Sequence, residues 1–149
     1  MGRRLDFGHA AGDVYRAFIQ ADRALLDGPL DNRLYHLAKL RASQINQCVF
    51  CVDMHVRELK EAGESDDRLF QLVVWRESEL FDARERAVLA YTEAATRLGD
   101  DGVPDDVWDE AARHLDEKEL GALVGAVALI NAFNRIGVPT RNRPPARTS

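Results

Sequence analysis

The sequence predicts an all-α bundle of six to seven helices. Apolar residues recur at spacings of three and four through successive segments, the mark of amphipathic helices. Helix-start residues (Asp31, Ser65, Asp82, Pro104, Asp116) and breakers (Gly28-Pro29, Gly63, Gly99 to Gly102) divide those segments. No βαβ pattern interrupts them. The 149 residues fit one domain spanning 1–149 with a real core. Hydrophobic residues make up 46% and charged residues 30%, an ordinary globular balance. A formal net charge of −5 argues against general nucleic-acid binding. The opening MGRRLDFGHAAGD has two arginines but no apolar stretch after them, unlike a secretory leader. The longest apolar run, Leu120 to Ile130, is short for a bilayer span. A cytoplasmic location with no membrane partner is the expectation.

Taken in order, residues 1 to 8 read as loose. The first helix covers Ala10 to Leu26, with Ala11, Val14, Phe18, Ala21 and Leu25 in one stripe and Asp22 interrupting its edge. The second runs from the cap Asp31 to Ser43 and places His36, Lys39 and Leu40 on one side. Ser43, Gln44 and Asn46 form a polar turn, suited to capping the next helix or to donating hydrogen bonds near the cysteines. The third helix spans Cys48 to Ala62, closed by Gly63. Phe50, Met54 and Leu59 read as packing, and Asp53 as solvated or a partner contact. Ser65 opens a short helix to Trp75, with Asp66 and Asp67 in its positive first turn. Asp82 with Glu85, and Asp116 with Glu119, are D-x-x-E variants of the capping box. They open helices to Leu98 and to Ile136. Glu85 has a sharper reading as a buried partner of an arginine such as Arg135. Between these two helices, Pro104 starts one that ends near His114, with Val107, Trp108 and Ala111 facing inward. The last helix is apolar on nearly every side, so it is central or an interface. Its Asn131, Asn134 and Arg135 need hydrogen-bond partners if buried. An Arg- and Pro-rich flexible tail follows from about residue 139.

The chemistry concentrates between Leu40 and His55. The chain has two cysteines, Cys48 and Cys51, in a C-x-x-C pair, and His55 follows. On a helix, Cys48, Cys51 and His55 share one face. Two thiols one turn apart at a helix N-terminus can close a disulfide with little movement. The positive helix end and a neighbouring imidazole both favour a thiolate. Such a dithiol suits disulfide exchange or attack on a peroxide. Two thiols exclude a tetrathiolate zinc site, but His36, Cys48, Cys51 and His55 form an alternative Cys₂His₂ metal set. A non-enzymatic, redox-sensing scaffold is a further alternative.

The run LRASQINQCVFCVDMH, followed by ELKEAGES, VVWRES (Val73 to Ser78), DARERAVLAYTEAAT (Asp82 to Thr96) and LINAFNRIGV (Leu129 to Val138), resembles the AhpD-like alkylhydroperoxidase group of the carboxymuconolactone decarboxylase superfamily. The resemblance covers roughly residues 30 to 138. It implies an all-helical fold, homotrimers or homohexamers, and dithiol peroxidase activity on a small hydroperoxide. A thiol or dithiol donor protein supplies the electrons, and no bound cofactor is implied. It also implies that Trp75 lies near the active-site cavity. Peroxidase-type members carry a glutamate twelve residues before the first cysteine, where this chain has His36. The expected site is therefore Cys48, Cys51, His55 and His36. The helix dipole favours Cys48 as the attacking thiol, and adjacency to His55 favours Cys51, the expected nucleophile.

Overall fold

The computed structural model describes residues 2–148. Its helices are α1 (Phe7–Ala10), α2 (Gly12–Leu26), α3 (Asn32–Ile45), α4 (Val49–Glu61), α5 (Asp66–Gln71), α6 (Ala83–Thr96), α7 (Asp105–His114) and α8 (Glu117–Thr140). A single 3₁₀ turn, Leu72–Val74, extends α5. No strand occurs among the described residues, so the all-α expectation holds. The caps are where the residues place them. Asp31 accepts from the Arg33 and Leu34 amides, Ser65 accepts from the Arg68 amide, and both D-x-x-E pairs form complete capping boxes.

The ends differ from expectation. The first helix is broken at Ala11 (φ −130°, ψ 51°), so a separate turn, α1, is capped by Asp6. Residues before it are held down: the Arg4 amide donates to Thr140 O at 2.8 Å, and the Arg3 guanidinium donates to Asn142 Oδ1 at 3.0 Å. At the other end α8 continues through Pro139. The proline removes one backbone donor in the last turn, but the Thr140 hydroxyl and the Asn142 amide donate to the carbonyls of Ile136 and Gly137. Beyond it, Arg147 pairs with Asp53, which also accepts from Arg57 at 3.2 Å.

Helix α3 lies at the centre, packed on α4, α6 and α8. One side of it joins Leu34, Tyr35 and Ala38 to Val88, Tyr91, Leu123 and Val127. The other joins Leu37 and Leu40 to Leu59, Leu72, Trp75 and Leu89. Each fully buried leucine or valine among them contributes about 1.5–3 kcal/mol. Helix α8 packs on α2, α3, α4, α6 and α7. By length and composition it is apolar enough to cross a membrane (mean hydropathy 1.5 over an 18-residue window), and 33% of that window is buried inside this chain. Trp108 was expected inward; it is 41% exposed and meets Tyr91 edge-on, because the interior volume beside α7 is filled by Ala111 and Leu115. Glu85 does both jobs assigned to it, but its arginine is Arg68 at 2.5 Å and not Arg135, which turns back to Asn131. Asp22 also has partners: it takes Lys39 Nζ at 2.7 Å and the Tyr35 hydroxyl.

Between α3 and α4 the chain reverses through Gln47, which adopts φ 57°. A residue with a Cβ pays roughly 1–2 kcal/mol for that left-handed conformation. Gln47→Gly is therefore expected to leave the thermal midpoint unchanged or raised, and Gln47→Val to lower it, in calorimetric unfolding.

Candidate active site

The turn that carries the dithiol is clamped from across the bundle. Asn46 Nδ2 donates to Asn131 Oδ1 at 2.8 Å and to Asn134 Oδ1 at 2.9 Å. Asn134 is buried and donates in turn to Ser43 Oγ at 3.1 Å. The Ser43 carbonyl accepts from the Cys48 amide at 3.0 Å. The polar turn residues therefore do not cap α4. They tie its first turn to α8, and that is how the α8 asparagines are satisfied. Cys48 itself is the N-cap residue of α4, and Cys51 lies in its first turn.

Cys48 and Cys51 form a disulfide, with Cα atoms 5.3 Å apart. Both are buried, yet their surroundings differ. Cys48 lies under α8 at Gly137, where a Cβ would stand 3.0 Å from Cys48 Sγ and 3.9 Å from Cys51 Sγ. Cys51 borders a cavity of 160 Å³ together with His55 and Glu58 from α4, faced by Tyr15, Ile19 and Phe133 from α2 and α8. Glycine at 137 thus allows the close approach of α8. Gly137→Val is expected to cost about 1–3 kcal/mol through overpacking against the sulfurs. Gly137→Ala should be near neutral, because the helix gains about 1 kcal/mol from the exchange. Denaturant unfolding of both variants checks this.

His55 has no exposed surface. Its Nδ1 lies 2.9 Å from Glu58 Oε2, one helical turn away, and its Nε2 is buried without a hydrogen-bond partner. Burial pushes the His55 imidazole below its ordinary value, against the opposing pull of Glu58. Burial pushes the Glu58 carboxyl up, but contacts from His36 and His55 overcome this and hold it well below the usual carboxylate range. An ionised Glu58 accepts a hydrogen bond from the Nδ1–H of neutral His55, which leaves Nε2 with a free lone pair. His36 Nδ1 sits 3.1 Å from the same Glu58 oxygen but outside hydrogen-bond geometry. The two imidazole centroids are 6.4 Å apart.

The residues expected from sequence are thus only partly one group. Cys51 and His55 share the cavity, and Cys48 is covered by α8. His36 borders a separate cavity with Asn32, Arg33 and Glu64, and meets His55 through Glu58. Glu58 is the residue that sequence reasoning missed. Its signal was the i, i+3 spacing from His55 on one helix. Glu58 supplies the negative charge that His36 lacks. Trp75 does not border the cavity. It is buried in the α3–α6 core, and its Nε1 donates to Glu93 at 2.8 Å.

Comparison with known proteins agrees with this fold. The profile of the carboxymuconolactone decarboxylase family matches residues 12–94, more than half of the chain. The chain belongs to the carboxymuconolactone decarboxylase family. Within it the chain is AhpD-like. Its fold superimposes with a TM-score of 0.94 on ATU0492 from Agrobacterium tumefaciens, a protein of unknown function proposed to be an antioxidant defence protein AhpD. The two are 35% identical, over 98% of this chain and 100% of the other. The uncharacterized protein YdfG of Bacillus subtilis is 28% identical over 99% of this chain and 100% of its own length. The uncharacterized protein YnjA of Escherichia coli is 37% identical over 71% of this chain and 59% of its own. An AhpD-core protein from Ralstonia eutropha, at 22% identity and a TM-score of 0.81, shares the fold.

Proposed function

We propose that this AhpD-like protein is a dithiol peroxidase in which Cys51 attacks the peroxide and Cys48 resolves the product. The observation that carries the proposal is the asymmetry of the pair. Cys51 borders the cavity beside a buried, neutral His55, and Cys48 is packed under Gly137. In the reduced protein His55 Nε2 takes the Cys51 proton. The thiolate sulfur attacks the terminal oxygen of a hydroperoxide, and the O–O bond breaks. Cys51 becomes a sulfenic acid, and the alkoxide leaves as an alcohol with the proton held by His55. The Cys48 sulfur then bonds to the Cys51 sulfur. The sulfenic hydroxyl departs with the Cys48 proton as water. An external dithiol reduces the disulfide and is itself oxidised, which closes the cycle. Glu58 positions His55 and fixes its tautomer, and His36 supports Glu58 from the far side. The lining of aromatic and aliphatic side chains supports a hydroperoxide with a compact apolar body, since a cavity of about 150 Å³ accommodates one benzene-sized group.

Self-association belongs to the same reading. A helix as apolar as α8 with two-thirds of its most apolar window unburied in one chain supports a homo-oligomer such as a trimer or hexamer. A cytoplasmic location is proposed with it, since a reducing compartment keeps the dithiol reduced.

The test is a free-thiol count on chelator-treated, reduced protein before and after one equivalent of tert-butyl hydroperoxide. Both thiols should vanish quickly and return with a dithiol reductant. His55→Ala should slow that loss by about 10²–10⁴-fold, the usual scale of general base catalysis. A reversible disulfide that forms without peroxide turnover would instead support the redox-sensing scaffold.

A further inference from the structure

His36, His55 and Glu58 place three ligand atoms within 4.8 Å of one another, where the Cys₂His₂ set would have drawn on the sulfurs. With the disulfide closed, neither cysteine offers a thiolate. From this convergence we infer a divalent-cation site of the two-histidine, one-carboxylate type, with zinc as its best-suited occupant.

The geometry points there on three counts. Two Zn–N bonds of about 2.0–2.1 Å and a Zn–O bond of about 2.0–2.2 Å place tetrahedral ligand atoms about 3.3–3.5 Å apart. Glu58 Oε2 already stands 2.9 Å from His55 Nδ1 and 3.1 Å from His36 Nδ1, so small outward shifts would admit an ion. The second count is hydrogen bonding. His36 Nδ1 is buried and approaches the carboxylate oxygen without the alignment of a hydrogen bond, so that nitrogen is unsatisfied. A ring nitrogen left so close to a carboxylate would be satisfied by a shared cation. The third is the scaffold. His55 and Glu58 lie at i, i+3 on α4, and His36 comes from the neighbouring helix α3, so rigid elements hold all three ligands. A fourth position is available because Glu58 and His55 border the 160 Å³ cavity. Two α3 cations lie near this group, and both are paired: Lys39 with Asp22 at 2.7 Å and Arg33 with Glu64 at 3.0 Å, which limits their repulsion of an ion.

Two nitrogens and one oxygen form a borderline donor set, which suits zinc better than the hard, all-oxygen preference of calcium or magnesium. Binding would have a direct chemical consequence, which rests on the peroxidase reading. A metal on His55 Nδ1 puts the ring proton on Nε2. That nitrogen then donates and no longer accepts the Cys51 proton. The ion would occupy the site as an inhibitor of thiol activation.

The experiment uses the full chain in its disulfide form, verified free of thiols, so that cysteine takes no part. Zinc is titrated by calorimetry, and cobalt(II) serves as an optical probe. One ion per chain is expected, with cobalt ligand-field bands and no thiolate charge-transfer band. His36→Gln and Glu58→Gln should each weaken binding at least about 10-fold while the far-ultraviolet circular dichroism is retained. Absence of stoichiometric binding would overturn the proposal. So would binding that both variants leave unchanged, which would place the ion elsewhere on the chain. Because no thiol reacts in this titration, its failure would leave the peroxidase reading standing, and a failed thiol assay would leave this site standing.

Discussion

Cys51→Ser is expected to abolish peroxide consumption, with a loss of at least about 10³-fold, whereas Cys48→Ser should still consume one equivalent in a single burst. Removing a nucleophile costs losses of that order or greater, because no remaining group can replace it. The distinction comes from placement. Cys51 and His55 are one turn apart on α4 and line one cavity, which puts the proposed proton acceptor and the space for the oxidant on the same side as Cys51. Cys48 has α8 against it at Gly137 and does not line that cavity. Without Cys48, the sulfenic acid on Cys51 has no resolving thiol, and turnover should stop after the burst. Stopped-flow measurement of hydroperoxide with each variant checks this. Equal bursts from the two variants would remove the assignment.

The largest expected effect on stability lies away from the dithiol, at Glu93. This buried carboxylate accepts from Arg41 Nε at 2.9 Å, from Trp75 Nε1 at 2.8 Å, and from Arg76. Arg41 is buried too, at 6% exposure, so water offers it little compensation. Glu93→Gln keeps the shape but strands the Arg41 charge, which typically costs about 3–5 kcal/mol. The pH dependence gives a second check. Burial raises the Glu93 carboxyl, but hydrogen bonds from Arg76, Trp75 and Arg41 overcome it and hold the group below its ordinary value of 4.5. A carboxylate with a depressed folded-state value stabilises fully above its unfolded value. That stabilisation is lost as pH falls through the folded one. The parent protein should therefore lose stability below about pH 4.5, and Glu93→Gln should show a shallower acid limb in urea unfolding across the same range. Identical acid limbs would mean that Glu93 titrates alike in both states.

The elements with strong local signals were legible in the sequence. Asp82 with Glu85 and Asp116 with Glu119 set helix starts through contacts three residues apart, so no tertiary information was needed. The Cys48, Cys51, His55 face followed from helix periodicity in the same way. What sequence left hidden depends on packing between distant segments. The break at Ala11 and the extension of α8 past Ile136 arise where the two chain ends meet, as the Arg4 to Thr140 bond shows. Glu85 pairs with Arg68 and not Arg135 because the α5–α6 approach is tertiary. The same holds at the site. The family resemblance placed His36 beside the dithiol, at the position of the family's glutamate, but its imidazole meets Glu58 first. Glu58 escaped notice because an acid on an amphipathic helix ordinarily faces solvent, and only the partial burial of this one turns it into a bridge.

The most direct test is to find which sulfur receives the peroxide oxygen. Reduced Cys48→Ser protein would be mixed with one equivalent of tert-butyl hydroperoxide and a sulfenic-acid trap such as dimedone, then mapped by peptide mass spectrometry. A single adduct on Cys51, greatly diminished when His55→Ala is added, is the expected result. A Cys51 thiol that remains free while peroxide persists would contradict attack by Cys51, and with it the proposed peroxidase cycle.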